Sequence, residues 1–234
     1  MPSDITFDKI YPDSRIKLPK QAEWQFTAYQ NRIKEFKKEP IGFNKIVFLG
    51  NSIIEGGKDW NEKFGSSNIV NRGISGDMTS TMIERLKEIY HYKPLKVFLL
   101  IGINDVFDGV IPYKKNKTAK EVASNILKIA DSIKYYSNGT EVFIHTLLPI
   151  DKEKFKSERG FYPKHNYPME KQIIQINRNI IRKVKRSEYQ IIDIFSLFVD
   201  ENGKMTKGLS KDGLHLNEKG YELWVNHIKE YIIN

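Results

Sequence analysis

The chain has 234 residues, enough for one sizeable domain, and its 40% hydrophobic and 12% aromatic content is ample for a packed core. No apolar run approaches the roughly 20 residues of a membrane span, and the lack of cysteine excludes disulfides, a thiol nucleophile and thiolate metal sites. The net charge of +9 invites a nucleic-acid reading, but there is no zinc-finger spacing, no RNP-like aromatic run and no recognisable DNA-binding signature to support it.

The N-terminal stretch MPSDITFDKIYPDSRIKLPK has no apolar segment of signal-peptide type, which favours the cytoplasm, although a trimmed exported chain would read the same way. Residues 20–38 then have the pattern of an amphipathic helix closed by Pro40. KIVFLG (45–50) and NIVNRGI (68–74) read as strands. The latter is followed by a helix over 77–90, with Asp77 as its expected N-cap. LKVFLLIG (95–102) is a third strand. Residues 118–136 form a helix opened by Thr118 and Glu121, the spacing of a capping box. EVFIHTLLP (141–149) is a fourth strand, 168–186 a helix, YQIIDI (189–194) a fifth strand and 216–232 a closing helix. The excess positive charge is partly in 151–186, where eleven Lys/Arg face four Asp/Glu; interleaved acids and a helical apolar period make this a solvated helix face.

Near-continuous apolar strands alternating with helices predict a five-stranded parallel sheet covered on both faces, a three-layer α/β/α sandwich. Without repeats, low-complexity linkers or composition breaks, residues 41–234 read as one domain, with 1–40 an extension and helix packed on it. Ligands of such sheets sit beyond the carboxyl ends of the strands. In this sequence those ends carry GNSIIEGG after the first strand, GISGD after the second and GINDV after the third, with KDGLHLN before the last helix.

GNSIIEGGKD fails as a phosphate-binding loop, because Ser52 stands where the first glycine should be and Asp59 where a hydroxyl should hold Mg²⁺. A serine nucleophile fits better. Its hydroxyl needs a base, and the base needs a carboxylate to fix its tautomer. Asp212 and His215, three residues apart, provide both, and Gly213 between them permits a tight bend. Donors for a developing oxyanion are the Asn104 amide and the backbone N–H groups of Gly76 and Ser52. Arg72, Asn51, Val106 and Phe107 are candidates for substrate contact, and aromatic residues of 106–113 and 155–168 for shaping the pocket. The histidines at 91, 145, 165 and 227 have no metal-ligand spacing, and His145, inside an apolar strand, reads as a core residue.

The ordered blocks GNSI (50–53), ISGD (74–77), GIND (102–105) and DGLHL (212–216) resemble the GDSL/SGNH hydrolases, from about residue 45 to 230. The resemblance implies a flavodoxin-like fold and ester hydrolysis without metal or other cofactor. Ser52 would be the nucleophile, Asp212 and His215 its triad partners, and Gly76 and Asn104 oxyanion donors. The family's usual Gly-Asp-Ser is here Gly-Asn-Ser; Asn51 keeps the size and hydrogen-bonding reach of the aspartate without its charge. The expectation is a serine esterase releasing a short acyl group, acetyl by family analogy, with an O-acetylated carbohydrate as first substrate guess. The alternatives are a lysophospholipase or thioesterase-type acyl hydrolase and a catalytically idle carbohydrate- or nucleic-acid-binding domain.

Overall fold

Short apolar runs rich in Val, Ile and Phe form the strands β1 (Ile46–Gly50), β2 (Ile69–Gly73), β3 (Lys96–Leu100), β4 (Glu141–His145) and β5 (Gln190–Ile192). This computed structural model describes residues 9–13, 15, 17, 21–107, 117–163, 167–184 and 189–233. All pairings are parallel and the strand order is β2-β1-β3-β4-β5, the flavodoxin-like arrangement. Chain direction across the sheet reverses between β1 and β3, so a crevice opens beyond their carboxyl ends.

Alternation along the strands sends one set of side chains to each face. Phe48, Phe98 and Phe143 occupy matching register positions on β1, β3 and β4, and their rings stack with centroids 5.0 and 4.6 Å apart. Trp60 of α3 (Trp60–Phe64) stacks on Phe48 at 4.2 Å, and Trp224 of the closing helix, Glu218–Ile233, completes this layer. His145 belongs to the same layer. Burial lowers its pKa to about 3, and its Nε2 accepts from Trp224 Nε1 at 3.3 Å, so it is a neutral core residue as expected. The other face is covered by α6 (Ala119–Tyr136) and α8 (Met169–Val184), packed against each other. Thr118 and Glu121 form the anticipated capping box on α6.

The helix expected over 77–90 is broken. It comprises α4 (Thr79–Met82), a 3₁₀ turn at Ile83–Arg85 and α5 (Lys87–Tyr92). Asp77 does not cap it. The buried carboxylate instead accepts from the Thr81 hydroxyl and pairs with Arg85 at 2.7 Å, while Arg85 also donates to Gly50 O at the end of β1. The charge is thus used to tie two strand-end loops together. The anticipated N-terminal helix is α1 (Glu23–Lys38), which buries Tyr29, Ile33 and Phe36 against the domain. Among the described residues no helix is long and apolar enough to cross a membrane.

Candidate active site

The chain leaves β1 through Gly50, Asn51 and Ser52 and enters the four-residue helix α2 (Ser52–Glu55) at once. A Cβ on Gly50 would lie 2.4 Å from Leu100 O, so the close approach of β1 to β3 requires glycine there. Asn51 is the N-cap, its Oδ1 accepting from Ile53 N at 3.0 Å. Tyr221, from the closing helix α10 (Glu218–Ile233), donates its hydroxyl to Ile53 O at 2.7 Å and pins α2 from below. Ser52 is thereby presented at the crevice.

His215 Nε2 lies 3.0 Å from Ser52 Oγ, and His215 Nδ1 lies 2.8 Å from Asp212 Oδ2. With Nε2 accepting from the serine, the imidazole proton is on Nδ1 and faces the carboxylate. Gly213 has φ +85°, and a Cβ there would meet Asp151 O at 2.4 Å; the bend that brings Asp212 under His215 is open to glycine only. Asp212 Oδ1 accepts from the backbone N–H groups of Leu214 (3.1 Å) and His215 (2.8 Å). Burial alone would raise this carboxyl's pKa. Hydrogen bonds from His215 and from Arg159 outweigh it and hold the group well below the usual carboxylate range. These three residues form a Ser–His–Asp network of serine-hydrolase type.

Gly76, at φ +78° in the loop after β2, and Asn104, in the 3₁₀ turn Ile103–Asp105 after β3, line the same cavity as Ser52 and His215. Asn104 Nδ2 donates to Asp77 O at 2.9 Å, which among the described residues engages one amide hydrogen and leaves the other. Asp105 braces this turn, accepting from Thr79 N at 2.9 Å and pairing with Lys117. The cavity is about 450 Å³ and is walled by Trp24, Phe107, Phe155, Phe161 and Leu214.

Of the candidate substrate contacts, only Phe107 reaches this cavity. Arg72 is buried on β2, its Nε and Nη2 each 2.9 Å from a Glu88 carboxylate oxygen, and its guanidinium plane covers Phe36. A charge that deep is retained for its partner, not for a ligand. Asn51 is fully buried with its Oδ1 in the capping bond, and Val106 is a core residue. The rest of 108–113 and His165 fall outside the described residues.

Three contributors had no motif to announce them. Trp24 and Gln25 come from α1, with Gln25 Nε2 donating to Gly76 O at 2.8 Å. Arg159 ends α7 (Lys152–Arg159), in a segment whose alternating charges resemble an ordinary solvated surface. The 155–168 segment, whose aromatic residues are candidates for shaping the pocket, begins in this helix, which buries Phe155 and supplies one wall.

Residues 48–223 match the GDSL-like Lipase/Acylhydrolase family. The chain belongs to that family. Among curated relatives it is 27% identical over 202 residues to the rat platelet-activating factor acetylhydrolase IB subunit alpha2, covering 84% of this chain and 77% of the relative. It is 26% identical over 189 residues to the human alpha1 subunit, covering 79% and 71%. Its fold is similar to that of a GDSL-like lipase from Bacteroides thetaiotaomicron (TM-score 0.69, 23% identity, 87% and 96% covered). It is also similar to that of an acetyl xylan esterase (TM-score 0.63, 19% identity, 81% and 100% covered). The family and the Ser–His–Asp network together make the protein a serine-hydrolase-type esterase acting on small esters.

Proposed function

We propose that this esterase removes a short acyl group, acetyl first, through a covalent acyl-enzyme on Ser52. The observation that carries the reading is the unbroken 3.0 Å and 2.8 Å relay from Ser52 through His215 to Asp212, opening on a cavity that Gly76 and Asn104 also line. Ser52 Oγ attacks the ester carbonyl while His215 Nε2 takes its proton, and Asp212 stabilises the imidazolium that forms. The Ser52 and Gly76 N–H groups and the second Asn104 amide hydrogen receive the oxyanion. His215 returns the proton to the leaving alcohol and then activates water, which releases the acid and restores the serine. Neither a metal nor a cofactor is needed for these steps.

The acetyl preference is supported by the acetylhydrolase relatives and by Trp24, whose ring lies within 2.6 Å of where a Gly76 Cβ would be and so narrows the cavity beside the attack point. An aromatic wall of Trp24, Phe107, Phe155 and Phe161 suits the faces of a sugar ring, which supports an O-acetylated carbohydrate as substrate. The same apolar wall supports a second reading, a lipid-type ester with a longer acyl chain. Residues 41–234 act as one domain in this proposal, and residues 1–40 are an extension whose helix supplies Trp24.

The test is hydrolysis of p-nitrophenyl esters from acetyl to decanoyl by the parent, Ser52→Ala and His215→Ala. Both variants are expected to lose at least ~10³-fold in kcat, with the parent fastest on acetyl. Rates that climb with chain length would favour the lipid-type reading, and turnover that survives Ser52→Ala would overturn the mechanism.

A further inference from the structure

Asp212 has more donors than its triad role requires. Its Oδ2, which faces His215 Nδ1 at 2.8 Å, also accepts from Arg159 Nε at 2.7 Å and from Arg159 Nη2. Arg159 Nη2 lies 3.2 Å from His215 Nδ1 itself. Since Nδ1 carries a proton when Nε2 accepts from Ser52, this last approach sets donor against donor. The guanidinium is therefore both a second partner for the carboxylate and a fixed positive charge beside the ring that must become cationic during the reaction.

The other charged groups around the imidazole do not duplicate this arrangement. Glu55 and Lys58, from α2 and the turn after it, and Lys211 line a groove that His215, Asp212 and Arg159 share. The Glu55 carboxylate is occupied by Ser75 N and Oγ at 2.6 and 2.5 Å, and it faces Arg32 at 3.5 Å. Lys154 Nζ is held by Ser210 O at 2.7 Å. Arg159 alone among the described cations is bonded to the triad carboxylate. It is 48% exposed at its side chain, whereas Asp212 is 6% exposed, so its removal leaves no cavity in the core.

We infer that Arg159 is a positioning residue for the reaction: by sharing Asp212 with His215 it keeps the carboxylate ionised and fixed, and it disfavours premature protonation of the imidazole. This rests on the assignment of Ser52, His215 and Asp212 as the catalytic triad. A cation this close opposes a second positive charge on the ring and draws off part of the carboxylate's attraction for it.

The experiment compares the parent with Arg159→Gln and Arg159→Lys. One readout is kcat/KM for p-nitrophenyl acetate from pH 4.5 to 8.5. The other is the titration of His215 by NMR in protein labelled at histidine Cε1, its signal assigned with His215→Asn. Arg159→Gln is expected to move both the acid limb and the NMR midpoint up by roughly half a unit to one unit. Arg159→Lys, which keeps the charge, should move them by less than half as much. Should Arg159→Gln fail to fold, as judged by circular dichroism, Arg159→Met replaces it. Coincident profiles and midpoints in parent and neutral variant, with turnover still dependent on Ser52, would overturn the role of Arg159 and leave the triad standing. Turnover independent of Ser52 would overturn both.

Discussion

Among the described residues Asn104 engages one of its two amide hydrogens, and the proposed mechanism assigns the other to the developing oxyanion. Asn104→Ala is expected to lower kcat by ~10²–10³-fold with KM changed only a few-fold, measured by steady-state kinetics on the acetyl ester. Asn51 teaches the opposite lesson. Its Oδ1 performs the capping that a carboxylate would perform, and its buried Nδ2 has no hydrogen-bond partner among the described residues. Asn51→Asp is therefore expected to retain Ser52-dependent turnover, because the cap needs an acceptor and either side chain supplies it. Asp212 has a consequence for stability as well as rate. Its pKa in the folded protein is below that in the unfolded chain, so its contribution is fully present above the unfolded value of about 3.9 and is lost as pH falls. Urea midpoints measured from pH 6 down to 2 should fall less steeply in Asp212→Asn than in the parent.

At the scale of elements, α1 is a wall of the site as well as a cover for the domain. Trp24 is half-exposed, with its ring over Gly76, while Gln25 on the same turn holds the Gly76 carbonyl. Trp24→Ala is expected to shift the optimum of the p-nitrophenyl ester series toward longer acyl chains, by opening space beside the attack point. The contrast with what was readable in the sequence is physical. Gly50-Asn51-Ser52, Gly76, Asn104 and the Asp212–His215 pair each owe their geometry to backbone within a few residues, so their spacing is visible in the sequence. Trp24, Gln25 and Arg159 reach the site through the docking of whole helices, and helical periodicity reports which face is buried, not what its rim touches. α7 was missed for a related reason: it buries Phe155 alone and has no apolar stripe. The short helices α2 and α3 hold barely one turn each, too little for any period to show. The break in the 77–90 helix was hidden because a cap and an ion-pair partner have the same letter in the sequence; Arg85, eight residues on, is what claimed Asp77.

Across the whole molecule, one buried ion pair lies away from the active site. Glu88 of α5 accepts from Arg72 of β2, from the Tyr11 hydroxyl at 2.8 Å and from Ile41 N at 3.0 Å. One carboxylate thus joins the N-terminal segment, the edge strand and a helix. Arg72→Ala would strand that charge, and a loss of roughly 3–5 kcal/mol in urea-denaturation stability is expected, with kcat of the surviving native fraction preserved. The relay between Ser52 and His215 spans the molecule in a different sense, since the two residues are 163 positions apart in the chain. A growing polypeptide that has formed β1 through β4 already has its serine at the end of the first strand, yet lacks both the base that activates it and the Tyr221 hydroxyl that pins its turn. Turnover by the triad therefore waits for the last part of the chain to dock, and its return after dilution from denaturant is expected to time the closing of that 163-residue loop.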